Sequence, residues 1–202
     1  FDGKSASAVA FEVPENWVRA IDRPFDARAP ANGATIAMVG DFKSVDTVSV
    51  RVERAPAGAR DAKDANALAE ALTANERAAV EALESFGVIG GVENGRSGTM
   101  AFELDGDGGA RTDADSGRTY YEFGYTTEVC RATIEEGAGG DKICVGPKGD
   151  LLESIKRRSR VVVTIVGDGN SMAVLKASAV SSRFDSVREI MDRAVDSFVV
   201  RV

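Results

Sequence analysis

The sequence predicts an α+β fold, an α/β/α sandwich on a central antiparallel sheet of about six strands, with one long helix in the middle of the chain and one at its C-terminus. Three observations carry this. Val161-Val162-Val163-Thr164-Ile165-Val166 and the run 172–180 flank Gly167-Asp168-Gly169-Asn170-Ser171, two strand-like segments around an Asp-Gly hairpin signal. From Asp64 to Phe86 the composition turns to alanine, leucine and glutamate, with Leu68, Leu72, Ala79, Val80, Leu83 and Phe86 at helical spacing and Gly87 as a stop. Near the end, Phe184, Val187, Ile190, Met191, Ala194, Val195 and Phe198 form a second helical stripe. Each helix has one apolar face, so the economical packing puts one on each side of the sheet.

Residues 1–8 are small and polar and read as a mobile lead into one domain, residues 9–202. Val9–Val13 alternates as a strand that Pro14 ends, and Asn16–Ile21 follows as a second extended piece holding Trp17, a core anchor. Pro24, Pro30 and Asn32-Gly33 mark the loop 22–33. Ala34–Gly40 and Val45–Glu53 are strands, the second with Val48, Val50 and Val52 on one face and Ser49, Arg51 and Glu53 on the other. Thr99–Leu104 is a strand, and the glycine and aspartate cluster 105–117 is a long turn. Gly117–Thr127 holds all three tyrosines, with Tyr121, Phe123 and Tyr125 on one face and Tyr120 and Glu122 on the other. Residues 130–160 read as a charged loop insertion, like 105–116, with a helical turn at Leu151–Lys156. Ser182 and Asp185 have the spacing of a capping box for the last helix.

A net charge of −7 and a pI near 4.8 argue against a general binder of nucleic acid or anionic membrane, which would repel such a surface. An anionic partner has to be met through a local basic patch. No apolar run approaches the roughly 18 residues of a membrane span, so direct insertion is not expected. Histidine is absent, which removes the commonest general base and transition-metal ligand. The glycine-rich stretches Gly87–Gly91 and Gly146–Gly149 lack the spacing of a phosphate loop, and no G-x-S-x-G elbow occurs.

Three candidate constellations remain. Glu103, Asp105, Asp107, Asp113 and Asp115 crowd five carboxylates into thirteen residues, and Asp105, Asp107, Asp113 and Asp115 are candidate calcium ligands. The place of the closing glutamate of a calcium loop is Ser116, so a solvated loop is the alternative. Lys156, Arg157, Arg158 and Arg160 form the one dense basic run, either a docking patch for an acidic protein surface or a solvated turn before Val161. Cys130 and Cys144 are separated by thirteen residues: a disulfide in an oxidising compartment, two free thiols in a reducing one.

The GRTYYEFGYTT strand, preceded by FEVPENW and followed by LKASA and a closing DSFVV, resembles the PsbP family of thylakoid-lumen proteins. The resemblance implies an α/β/α sandwich without enzyme chemistry. It also implies residence in the chloroplast thylakoid lumen, peripheral to the membrane, where an oxidising environment favours the Cys130–Cys144 disulfide. The implied partner is the lumenal face of a photosynthetic membrane complex, photosystem II first, where such subunits help retain calcium and chloride at the oxygen-evolving centre. A transient assembly factor, or a subunit of photosystem I or the NDH complex, is the alternative. The chain departs from the family pattern in its short lead before Val9, its lack of the histidines that bind metal in some members, and Arg183-Phe184 where a tryptophan is usual. The cysteine loop with its basic run looks like an insertion.

Overall fold

The computed structural model describes residues 9–59, 62–86, 98–167 and 169–201, with the backbone alone for residue 79 and residues 82–86. Its centre is an antiparallel sheet built from β2 (Val18–Asp22), β3 (Ala34–Asp41), β4 (Asp46–Arg54), β5 (Gly98–Leu104), β7 (Thr119–Cys130), β11 (Ile155–Val166) and β12 (Ser171–Val180), in the order β2-β3-β4-β12-β11-β7-β5. An eighth strand, β6 (Gly109–Thr112), pairs with the start of β7. The sheet has eight strands among the described residues where about six were expected, and β6 is added because β7 is twelve residues long and outruns β5. Its uncovered edge at Thr119–Glu122 would leave backbone groups unpaired, and β6 folds back to pair with it. The stretch 105–117 is thus a strand between two turns. The predicted lead, residues 1–8, the stop at Gly87, the glycines 87–91 and the hairpin residue Asp168 lie outside the described residues.

Alternation along β7 sorts its aromatics as expected. Tyr120 joins Val48, Val50, Val52, Val162 and Leu175 in the core beneath α3 (Ser181–Asp196), which contributes Phe184, Met191, Ala194 and Val195. Phe123, with Tyr121 and Tyr125 packed alongside, faces Leu68 and Ala69 of α1 (Ala65–Leu72) on the other side. Trp17 packs against the α3-side core, partly buried. Helices therefore lie on both faces of the sheet.

The middle helix is two helices, not one. Thr73 ends α1: its hydroxyl donates to the Ala69 carbonyl at 2.7 Å, competing with helix continuation, and α2 (Ala74–Phe86) starts anew. Asp64 caps α1 by accepting from the Ala67 N–H at 2.9 Å. The capping box expected at Ser182 is not formed. Strand β12 runs straight into α3, Val180 is the N-cap without a side-chain hydrogen bond, and Ser182 falls inside the helix. Past α3, β13 (Val199–Val200) pairs with β1 (Val9–Ala10), which is shorter than the strand expected over Val9–Val13.

The charged insertion 130–160 is ordered as strand. β8 (Thr133–Glu136), β9 (Lys142–Val145) and β10 (Leu151–Leu152) form a separate three-stranded antiparallel arm, and β11 begins at Ile155. The glycine clusters make its turns, Gly137 N–H donating to Asp141 O and Gly146 N–H to Asp150 O, each at 2.7 Å. The helical turn expected at Leu151–Lys156 is accordingly absent: that stretch is β10 and the first residues of β11.

Candidate docking site

Because Lys156–Arg160 lies in β11, period-two alternation splits the basic run between the two sheet faces. Arg158 and Arg160 turn to the α3 side and are engaged there. Arg158 pairs with Asp105 at 3.3 Å and lies 5.0 Å over the Phe184 ring, and Arg160 pairs with Asp192 at 3.3 Å. Asp105 rests directly over Gly124, where any Cβ would collide with its carboxylate, so this glycine in the tyrosine strand is what lets the ion pair form. These two arginines tie the sheet to Asp105, Phe184 and Asp192.

Arg157 turns the other way. It donates to Ser178 Oγ at 3.1 Å, Ser178 O at 3.0 Å and Val45 O at 2.8 Å, all neutral acceptors. Burial holds its guanidinium below the ordinary value, with Asp46 opposing and the Arg131 charge adding to the shift. Arg157, Lys156 and Arg131 line a cleft of about 500 Å³ together with Val45, Glu153, Ser154, Val180 and Ser181. None of these three cations forms an ion pair among the described residues, and Glu153 is the one carboxylate on the lining.

The cleft wall opposite the arm is the turn between β3 and β4. Asp41 organises it, accepting from Ser44 Oγ at 2.9 Å and Lys43 N–H at 3.1 Å. The Ser44 hydroxyl, first among these contacts, holds the Asp41 carboxyl below its ordinary 3.8. With the folded value depressed, this stabilisation of the turn is present above 3.8 and lost as the pH falls through the folded value. The Lys43 and Ser44 amide resonances are therefore expected to titrate with a midpoint below 3.8. Movement centred above that pH would contradict the assignment.

Val45 sits at φ 60°, the one non-glycine with positive φ among the described residues, and for a β-branched residue that is a strained conformation. Relief of about 1–2 kcal/mol of strain should outweigh the roughly 0.5–1 kcal/mol that glycine costs in chain entropy. Val45→Gly is thus expected to raise the melting temperature by about 2–4 °C, and a lower melting temperature would show the turn to be unstrained. Next to it, Asp46 is 1% exposed and accepts from Arg183 of α3 at 3.0 Å, locking the turn to the helix.

The other predicted site residues fall elsewhere. Asp113 closes the turn between β6 and β7, accepting from Ser116 N–H at 2.7 Å, Ser116 Oγ at 2.8 Å and Asp115 N–H at 3.1 Å, and its carboxyl is lowered chiefly by the Ser116 N–H. Asp107 and Asp115 are exposed and Asp105 is held by Arg158. The four carboxylates are not gathered: no group of three or more acidic or other ligating side chains suited to a metal forms among the described residues. Cys130 and Cys144 are joined, with Cα atoms 5.5 Å apart, at the root of the arm beside Met100 and Ile134. Arg131 and Val45 are cleft residues that the basic run does not reveal, and Phe42 stands exposed in the same turn as Val45. Two large apolar side chains in a four-residue turn were the available signal.

No family model matches the chain, and no curated protein matches it. Among solved structures it is similar to the solution structure of cyanobacterial PsbP (CyanoP) from Synechocystis sp. PCC 6803, at TM-score 0.46 and 17% identity over 96% of this chain and 86% of that one. It is similar to LpqN, involved in cell envelope biogenesis of Mycobacterium tuberculosis, at TM-score 0.45 and 12% identity over 96% of this chain and 83% of that one. Likenesses of this size carry no argument, and two proteins described so differently share them. No helix among the described residues is long and apolar enough to cross a membrane.

Proposed function

We propose that the protein is a non-enzymatic extrinsic subunit of the thylakoid lumen that docks on a photosynthetic membrane complex, photosystem II first. The observation that carries the docking is the convergence of Arg131, Lys156 and Arg157 on one cleft of a chain whose net charge is −7. Unpaired cations concentrated on an acidic protein orient it toward an acidic partner and speed the encounter. The choice of complex rests on the order of GRTYYEFGYTT, LKASA and DSFVV in the sequence, which resembles the PsbP family. The buried Cys130–Cys144 bond accords with an oxidising compartment.

The test is co-sedimentation with thylakoid membranes stripped of extrinsic proteins, followed by native electrophoresis. Binding at low salt is expected, with release near 1 M salt, where the screening length falls to about 3 Å. Migration with photosystem II supports the reading, and migration with photosystem I, an NDH-type complex or assembly intermediates replaces that partner. Protein left in the supernatant at low salt overturns it. Arg131→Glu with Lys156→Glu is expected to weaken binding about tenfold or more, whereas reversal of the internally paired Arg160 is not a test of docking because it breaks the contact with Asp192.

A further inference from the structure

The exposed large apolar side chains of the described residues lie at the end of the central sheet where β11 begins or on the arm that leads into it. They are Val18 at 60%, Phe42 at 42%, Val45 at 43%, Leu151 at 73% and Leu152 at 39% exposure. Val18 pairs with Gly40 and Gly40 with Thr47, which brings the start of β2 beside the turn 42–45. Arg157 pairs with Val180 and Ile155 with Val129, so the start of β11, the root of α3 and the end of β7 share that edge. Leu151 and Leu152 lie on β10, an outer strand of the arm, immediately before the cleft residues Glu153 and Ser154. Val45 lines the cleft beside its three cations, and exposed apolar side chains next to a charged concave surface suit an interaction site.

We propose that this end of the molecule receives an acidic protein segment carrying an apolar side chain, seated in the cleft between the turn 42–45 and the arm. The proposal rests on the docking reading above and adds the chemistry of the partner. Charge complementarity selects the occupant: Arg131, Lys156 and Arg157 are the cations of the cleft, and an acidic segment would be repelled by the rest of a −7 surface. The wall is rigid before anything binds. Asp41 fixes the turn from within, Arg157 holds the Val45 carbonyl at 2.8 Å and Arg183 holds Asp46 at 3.0 Å. Phe42 and Val45 are therefore presented to solvent by a turn that maintains a strained backbone, the preorganised arrangement in which apolar contacts add most to affinity. A concave cleft of about 500 Å³ suits a protruding side chain better than the flat surface of a bilayer.

The experiment is a titration of the isotope-labelled full chain, followed by amide resonances, with a synthetic peptide of glutamates bearing two leucines. A peptide with lysine in place of glutamate and vesicles of anionic lipid are the comparisons. Shifts confined to residues 42–46, 131 and 151–157 are expected with the acidic peptide alone, reduced about tenfold by Phe42→Ser and, separately, by Lys156→Glu. No shifts, shifts centred elsewhere, or an equal response to the lysine peptide would overturn the proposal, and a response to vesicles but not to peptide would replace the protein partner with a membrane. No membrane complex is needed for this titration. Its failure therefore strikes the peptide-binding cleft alone, whereas failure to co-sediment strikes docking on a thylakoid complex.

Discussion

Replacing Arg111 by alanine is expected to destabilise the protein by about 3 kcal/mol, a fall of roughly 6–12 °C in melting temperature for a chain of this size. Arg111 lies on β6, and four contacts meet on its guanidinium. Nε donates to Glu122 at 2.9 Å, Nη2 donates to Phe198 O at 2.7 Å and to Val195 O at 3.3 Å, and the group lies 4.3 Å over the Tyr120 ring. The two carbonyls belong to the end of α3 and the residues just past it, where the helix dipole favours a cation. Tyr120, fully buried, accepts the Val200 N–H at 2.9 Å on its hydroxyl and meets Phe198 edge-on at 6.0 Å. Arg111 and Tyr120 thus close β6, β7, the exit of α3 and β13 together. Lysine supplies a point charge without the planar fork, so Arg111→Lys should recover less than half of the loss. Tyr120→Phe removes an acceptor of the buried Val200 N–H and should cost about 1–3 kcal/mol. Thermal melts check all three, and an alanine variant melting within about 2 °C of the parent would show that the latch contributes nothing.

Tyr120 and Arg111 show what a single sequence does and does not make visible. The face of Tyr120 followed from alternation alone, because period two needs only neighbours along the chain. Its partner did not: Arg111 sat in a stretch read as turn, since Asp and Gly on either side masked the four residues Gly109–Thr112. The same masking hid the arm. Thr133–Glu136 and Lys142–Val145 alternate around a glycine cluster, a hairpin pattern, yet their charge made them read as loop. The solvated-turn alternative for Lys156–Arg160 gives way to strand for a related reason, as long arginine stems can lie along a sheet while their heads find carboxylates.

The candidate cleft was half legible. The basic run marked its location, but only strand geometry separates Arg157, whose hydrogen bonds go to neutral acceptors, from Arg158 and Arg160, which Asp105 and Asp192 occupy. Val45 and Arg131 reach the cleft through registers between strands far apart in the chain, and no local pattern encodes a register. Thr73 and Ser182 make the complementary point about helices. A hydroxyl at either position could cap, continue or interrupt, and the choice is made by whether a strand or a turn enters the helix.

Removing the Cys130–Cys144 bond by a double substitution to alanine is expected to cost about 3 kcal/mol, the value for a closed loop of about 15 residues. The loss should be uneven across the molecule. Strands β8, β9 and β10 hydrogen-bond among themselves as a separate sheet, so the arm is held to the central sheet by few other contacts. Among the described residues these include the packing of Cys130, Cys144 and Ile134 of the arm root against Met100 of β5, and the Lys142 ammonium donating to Met100 O at 3.1 Å. Without the bond, amides of 133–136 and 142–145 are expected to exchange with solvent before those of β11 and β12, whose protection comes from pairing on both sides within the large sheet. Hydrogen exchange on the variant and on reduced protein measures this directly, and uniform loss of protection across arm and sheet would refute it. The consequence for docking follows from position: Arg131 is the next residue after Cys130, and β10 leads directly into Glu153 and Lys156. Loosening the arm spreads the cations apart, so the acidic partner should be bound more weakly by reduced protein even at temperatures where the central sheet remains folded.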